Sequence, residues 1–256
     1  MNLLDAFLVA SGINVVMFVP AYFLRTDKLT DISYAVTFVV VSAIGIWLGG
    51  YSFPSLVVFL MVSFWAIRLG GYLLIRIKKI KRDKRFDGMR ESFWRFSRFW
   101  LLQGLTVWAV LLPSILFFQN SLVEISVVAY IGVVVWFVGL FIETVADAQK
   151  YRFINNAENK GRWIDTGLWK YSRHPNYFGE ILVWIGIYIY TLFGLSFSQA
   201  IIGIISPVYI VLLLLFASGI PLLEKVAEKR WGSDSEYQKY KRTTSVLVPL
   251  PKRNKG

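Results

Sequence analysis

Cysteine is absent from the chain, and histidine occurs once, at position 174. The first absence excludes disulfides, thiolate nucleophiles and Cys-ligated metals. The second leaves too few imidazoles for a catalytic zinc, which usually takes two or three, so no metal site is expected. Acidic residues are also scarce, 16 against 28 Lys and Arg, for a formal charge of +12. No glycine-rich GxGxxG fingerprint occurs, which removes a Rossmann nucleotide site. The N-terminus lacks the basic n-region and small-residue cleavage site of a signal peptide, so its first apolar run is expected to remain as a span.

What the chain has in abundance is hydrophobic length. It is 56% hydrophobic and 17% aromatic over 256 residues. Seven apolar runs lie near 5–24, 32–50, 53–77, 99–118, 122–145, 177–194 and 200–223. Each is close to the ~20 residues that a helix needs to cross the hydrocarbon core. The expected fold is an all-α integral membrane protein with seven transmembrane helices, in one membrane domain over 1–256. The second run is the most diluted, by Gly45, Gly49 and Gly50.

The basic residues set the expected orientation. Ten of the 28 fall in "RIKKIKRDKRFDGMRESFWRFSR", six between Lys150 and Arg173, and nine in the tail, while the loops around 50–52, 119–123 and 195–199 have none. The positive-inside rule is then met only with the N-terminus outside and the C-terminus cytoplasmic. Because the charge sits beside spans, it is expected to serve topology and anionic membrane lipids, not nucleic acid. Nothing in the sequence points to a protein partner.

Ionisable groups beside or within spans are costly and usually functional. Here they are Asp31, Arg68, Arg76, Glu143, Asp147, Glu180, Glu224 and Glu228. With the orientation above, nearly all fall in the cytoplasmic half. Glu143 and Asp147 are i,i+4, with Lys150 three residues on, so the three share a helix face. Glu180 lies one turn from Asn176 and Tyr177, and Glu224 and Glu228 are again i,i+4. Such a set suggests a polar chamber opening to one side, where a channel or transporter would spread polar groups toward the midplane.

The ordered elements "ETVADAQKYRF", "DTGLWKYSRHPNYFGE", "LLEKVAEKRWG" and "YQKYKRTTSVLVP" resemble the C-terminal half of the steroid 5-alpha-reductase family. Upstream, "TDISYAVTF", "WAIRLGGYLLIRI" and "FWLLQG" are similar to bacterial membrane relatives of that family. Sterol C14-reductases and isoprenylcysteine carboxyl methyltransferases carry related RHPNY elements. The resemblance implies a seven-helix enzyme of a bacterial inner membrane that uses NADPH to reduce an activated carbon–carbon double bond in a steroid-like or isoprenoid lipid. It implies a lipid-substrate half over 1–118 and an NADPH-binding half, open to the cytoplasm, over 119–256. Carried onto this chain, the implied cofactor residues are Asp147, Lys150, Arg152, Arg162, Trp169, Arg173, His174, Asn176, Tyr177 and Glu180, with Glu224, Glu228 and Tyr240 from the tail.

The residue types suit that cofactor. Arg and Lys match a pyrophosphate and a 2′-phosphate. Asn176 offers both a donor and an acceptor, and Tyr177 can stack or donate. Pro175 suits the first turn of a helix. One departure stands out: the steroid enzymes place a glutamate–tyrosine pair in the early helices, and here Trp65 stands where the tyrosine would align. Asp31, Tyr34, Arg68 and Tyr72 are then the candidates for the group that engages the lipid's polar end. Two rival readings follow from the same features: a SAM-dependent methyltransferase of the isoprenylcysteine type, and a non-catalytic lipid-binding membrane protein. "DAQKYRF" and the basic loop after it favour a phosphorylated dinucleotide over cationic SAM.

Overall fold

The structure is a computed structural model that describes residues 1–80, 86–120 and 124–252. Among these residues there is no strand, and seven segments are long and apolar enough to cross a membrane. They are Leu3–Phe23, Lys28–Gly49, Phe53–Ile77, Phe93–Phe118, Val127–Asn155, Pro175–Gly194 and Phe197–Trp231. The expected all-α, seven-span fold is therefore what the chain adopts. Each helix keeps its backbone polar groups bonded within itself, the requirement that hydrocarbon imposes.

Helices are numbered α1 (Leu3–Phe23), α2 (Lys28–Gly49), α3 (Phe53–Ile80), α4 (Phe93–Phe118), α5 (Val127–Asn155), α6 (Pro175–Thr191), α7 (Phe197–Gly203), α8 (Ile205–Leu212), α9 (Ile220–Trp231) and α10 (Ser235–Thr243). By packing, the chain falls into two compact units, one of residues 1–133 with 187–206 and the other of 134–186 with 207–256.

In the first unit α1, α2 and α4 pack on one another and α3 lies along α2. Most of α4 is buried, from Gln103 through Phe118. The glycines that dilute the second run are contact points: Gly45 and Gly49 both sit against Phe118. A buried polar cluster ties three helices together. Gln103 Nε2 donates to Asn14 Oδ1 at 2.8 Å and to the Thr30 carbonyl at 3.2 Å, and Asn14 Nδ2 donates to the Ala10 carbonyl at 2.8 Å. Hydrogen-bonded amides of this kind hold helices together where burial of apolar surface gives no preference. A buried ion pair, Arg90 to Asp27 at 2.6 Å, joins the start of α2 to the segment before α4.

In the second unit α5 and α6 cross at a pair of glycines. A Cβ on Gly139 would stand 2.6 Å from the Val183 nitrogen, and one on Gly179 would stand 2.6 Å from the Glu143 nitrogen. Only glycine permits backbones to come so near. With 29 residues, α5 rises about 43 Å, beyond a hydrocarbon core of about 30 Å. Its last turns, with Asp147, Lys150 and Arg152, are the surplus. The seventh span is interrupted by a π-helical turn at Leu213–Ala217, and α9 restarts after Gly219, where a Cβ would meet the Leu214 carbonyl at 2.5 Å. Such π turns bend a helix and often mark functional sites. Glu224 and Glu228 thus sit on a separate helix, not at the end of a continuous span.

Candidate functional site

The segment from Thr166 to Arg173 is folded onto the surplus turns of α5. Gly167 takes φ +61°, a left-handed conformation that suits glycine, with Gln149 close by. The next residue, Leu168, donates its N–H to Gln149 Oε1 at 2.9 Å. Trp169 is buried, and its Nε1 donates to the Ala146 carbonyl at 3.1 Å. Lys150 Nζ lies 4.9 Å from the centre of the Trp169 ring, a cation–π arrangement. From the tail, Tyr240 donates its hydroxyl to the Trp169 carbonyl at 2.8 Å. Burial pushes that hydroxyl's pKa well up, which keeps it a donor.

The tail then straps the segment in place. Ser172 and Ser245 form an isolated parallel bridge. The Arg173 N–H donates to the Ser245 carbonyl at 2.8 Å, and Ser172 Oγ donates to the Leu247 carbonyl at 2.6 Å. His174 follows as the residue that opens α6: its carbonyl accepts from Phe178 N–H at 3.2 Å, and Pro175 takes the first helical position.

Here the charged groups converge. His174 Nε2 lies 2.8 Å from Glu224 Oε1, and Arg173 pairs with the other oxygen of the same carboxylate. A carboxylate only accepts, so His174 donates through Nε2 and, when neutral, leaves Nδ1 as an acceptor. Burial lowers the His174 pKa, outweighing the pull of Glu224, and Lys150 and Arg173 push the same way as burial. One turn on, Asn176 Nδ2 donates to Asp147 Oδ1 at 3.2 Å. Tyr177 lies nearly parallel to the His174 ring, 5.8 Å away at 12°.

Of the residues expected to form a cofactor site, Asp147, Lys150, Trp169, Arg173, His174, Asn176, Tyr177, Glu224 and Tyr240 are joined by these contacts. Glu180 lies half-buried one turn after Asn176 on α6. Glu228, one turn after Glu224 on α9, takes Lys241 at 2.7 Å and Gln238 at 3.0 Å. Arg152 and Arg162 are exposed. In the first unit, Tyr34 packs edge-on against Phe38 at 5.0 Å and Trp65 at 6.5 Å, and Asp31, Arg68 and Tyr72 are half-buried on α2 and α3.

Several supporting residues escaped the reading of the sequence: Gln149, Ser172, and the Trp163–Trp231–Tyr237 ring cluster, in which Trp231 Nε1 donates to the Gly161 carbonyl at 2.5 Å. These are uncharged side chains whose partners are largely backbone groups or other rings, and sequence alone does not place those partners. The buried Asn14 and Gln103 were missed for the same reason.

Among the described residues no group of His, Asp and Glu could hold a metal. A seven-span membrane protein whose polar cluster gathers at the ends of α5, α6 and α9 is the class that fold and site define. The chain belongs to the DUF1295 family (protein of unknown function), which it matches over residues 17–244. No curated protein and no solved structure is similar enough to be matched to it.

Proposed function

We propose that the protein is an NADPH-dependent reductase of an activated carbon–carbon double bond in a membrane lipid, related to the steroid 5-alpha-reductases. The observation that carries this reading is a pair of unsatisfied polar atoms. His174 Nδ1 and Arg173 Nε are buried without a hydrogen-bond partner among the described residues. Buried polar atoms of this kind ordinarily find partners. The first is an acceptor and the second a donor, side by side at the α6 entrance. A dinucleotide meets both needs, with amide or hydroxyl donors and phosphate acceptors, so the residues fit the group. Exposed Arg152 and Arg162 lie on the flanking segment, free to reorient toward a 2′-phosphate.

When bound, NADPH supplies the hydride. The chain's own residues bind and orient: Arg152, Arg162 and Lys150 answer the phosphates, while Asn176 and Tyr177 hold the nicotinamide end. The Asp147 and Glu224 carboxylates fix Asn176, His174 and Arg173 before any ligand arrives, which lowers the ordering cost of binding. Asp31, Tyr34, Arg68 and Tyr72 are assigned to the lipid's polar group. The cytoplasmic placement of the cofactor residues, with the N-terminus outside, belongs to the same proposal and rests on the charge bias.

The test is nucleotide binding to the detergent-solubilised full chain. NADPH should bind at least tenfold more tightly than NADH. That preference should shrink about tenfold or more in Arg152→Ala or Arg162→Ala, as loss of a charge-assisted hydrogen bond worth ~1.5–3 kcal/mol requires. Tight binding of SAM with none of NADPH would replace this reading by the methyltransferase one. Binding of neither nucleotide would leave a lipid-binding protein.

A further inference from the structure

Within the first unit, the turn between α1 and α2 borders a polar cavity of about 380 Å³. That is inside the ~300–1,000 Å³ range of small-ligand sites. Its lining runs from Leu24 to Lys28 and adds Arg90 and Glu91 from the segment before α4. Arg90 is the fixed part: it is 4% exposed, held by Asp27 at 2.6 Å and by Asp87. These contacts use one donor on each terminal nitrogen, of the five N–H donors that a guanidinium carries. A rigid cation with donors left over therefore stands in the wall. Ala21, four residues before Arg25, shares a buried cluster with Phe86, Phe96 and Trp100, which fixes the two sides of the cavity to each other.

Two residues of the turn go against the usual preferences for their positions. α1 ends in a Schellman turn, with Thr26 N–H donating to the Ala21 carbonyl at 2.9 Å and Arg25 N–H to the Tyr22 carbonyl at 3.1 Å. Arg25 takes φ +47° there, the left-handed position that glycine ordinarily fills. A side chain at that position strains the backbone, and such outliers point to function. The side chain it carries lines the cavity. Asp27 stands at the N-cap of α2 but makes no capping bond; its carboxylate turns to Arg90 instead. The amino end of a 22-residue helix thus meets the cavity at Lys28 without a carboxylate cap. Helix amino ends attract anions.

We infer that this cavity binds the headgroup of a phospholipid that carries both a phosphate and a primary amine. Arg25, Lys28 and Arg90 supply charged donors to the phosphate. Asp27 is already taken by Arg90, whereas Glu91 is exposed at the rim and offers its carboxylate to an ammonium. A headgroup with negative charge alone meets repulsion from Glu91, and a choline headgroup has no N–H to donate to it. The place of the cavity favours a lipid over free phosphate. Phe23 and Leu24, apolar and 79% and 71% exposed, adjoin it at the ends of two helices able to span a membrane. The inference does not depend on the proposed reductase activity.

The test titrates the delipidated full chain in detergent with phosphatidylethanolamine, phosphatidylglycerol or phosphatidylcholine and counts bound lipid by native mass spectrometry. One phosphatidylethanolamine should be retained, at least tenfold more tightly than either of the others. Arg25→Gly should weaken it tenfold or more. Glycine suits φ +47°, so the lipid-free thermal midpoint of that variant should equal or exceed the parent's. Lys28→Ala should also weaken binding, and Glu91→Gln should bring phosphatidylglycerol level with phosphatidylethanolamine. Arg98→Ala, an exposed cation on α4 outside the cavity, should change nothing. Soluble glycerophosphoethanolamine should displace the lipid, and inorganic phosphate should not. Displacement by phosphate just as readily would assign the cavity to the free ion and overturn the lipid source. Equal retention of all three lipids, or parent-like binding in both Arg25→Gly and Lys28→Ala, would mean ordinary adsorption at the membrane surface and overturn the site.

Discussion

Glu224, on α9, receives both His174 and Arg173, fifty and fifty-one residues earlier in the chain. One carboxylate thus locks the α6 entrance to a helix that begins only after the π-helical break in the seventh span. Replacing it with Ala leaves a partly buried guanidinium and a buried imidazole without their acceptor. The expected loss is ~1–3 kcal/mol. Glu224→Gln retains one acceptor oxygen and should lose less. Thermal midpoints of the two purified variants check this; equal midpoints to the parent would show that the pair is only a surface contact.

The single histidine makes a pH experiment unusually clean. Burial depresses the His174 pKa below its unfolded value of about 6.5. The folded protein therefore refuses a proton that the unfolded chain accepts. Its stability from this source is complete above about pH 6.5 and falls as pH drops toward the folded pKa. The slope cannot exceed about 1.4 kcal/mol per pH unit. His174→Gln should flatten thermal stability between about pH 6.5 and 5, where most carboxylates have not yet titrated. A parent protein with a flat profile there, or one that gains stability in acid, would contradict a neutral buried His174.

The α5–α6 crossing predicts a substitution effect without any change of charge. Gly179→Ala sets a Cβ against the Glu143 backbone nitrogen at 2.6 Å and should destabilise by ~1–3 kcal/mol. Gly12→Ala, which meets open space on α1, should be neutral or slightly stabilising. A thermal midpoint for Gly179→Ala that matches the parent would mean that the two helices can separate at no cost.

Much of this was legible in the sequence, and the parts that were not have physical reasons. The seven spans announce themselves through hydropathy, because hydrocarbon tolerates little else. The polar residues near His174 were legible as a set because charges beside spans are rare enough to notice. The break that creates α9 was not, since Leu213–Ala217 is as apolar as a regular helix and only hydrogen-bond register distinguishes it. Gly139 and Gly179 were equally silent: their meaning depends on which helix each faces. Gln149 and Ser172 act on backbone groups whose positions exist only after folding.

Orientation can be read directly, because the natural chain has no cysteine to interfere. A cysteine introduced at Gln119 should react with an impermeant maleimide added outside intact cells. One introduced at Lys84, which lies outside the described residues, should react only after lysis. The reverse pattern would place the proposed cofactor residues on the outer side, away from the cytosolic nucleotide pool, and would sink the proposed function.

Asn176 separates holding a nucleotide from using it. Its amide donates to Asp147 at 3.2 Å, which leaves its carbonyl oxygen and second N–H for a ligand, and Tyr177 beside it stacks on His174. In the proposed reductase, nucleotide capture would fall mainly to the basic groups, whereas Asn176 would set the orientation of the hydride-donating end. A displacement of about 1 Å at a reacting centre can lose on the order of a hundredfold in rate. Asn176→Ala should therefore keep the parent's fold and bind NADPH within a few fold of the parent. It should reduce a lipid substrate about a hundredfold more slowly. Asn176→Asp puts a second carboxylate beside Asp147, so it should fail on binding as well, through like-charge repulsion. The measurements are thermal midpoint, NADPH affinity and single-turnover reduction on the same preparation. A rate loss in Asn176→Ala that tracked a lowered midpoint would make the residue a structural tie between α5 and α6. A full rate with normal binding would remove it from the nicotinamide site.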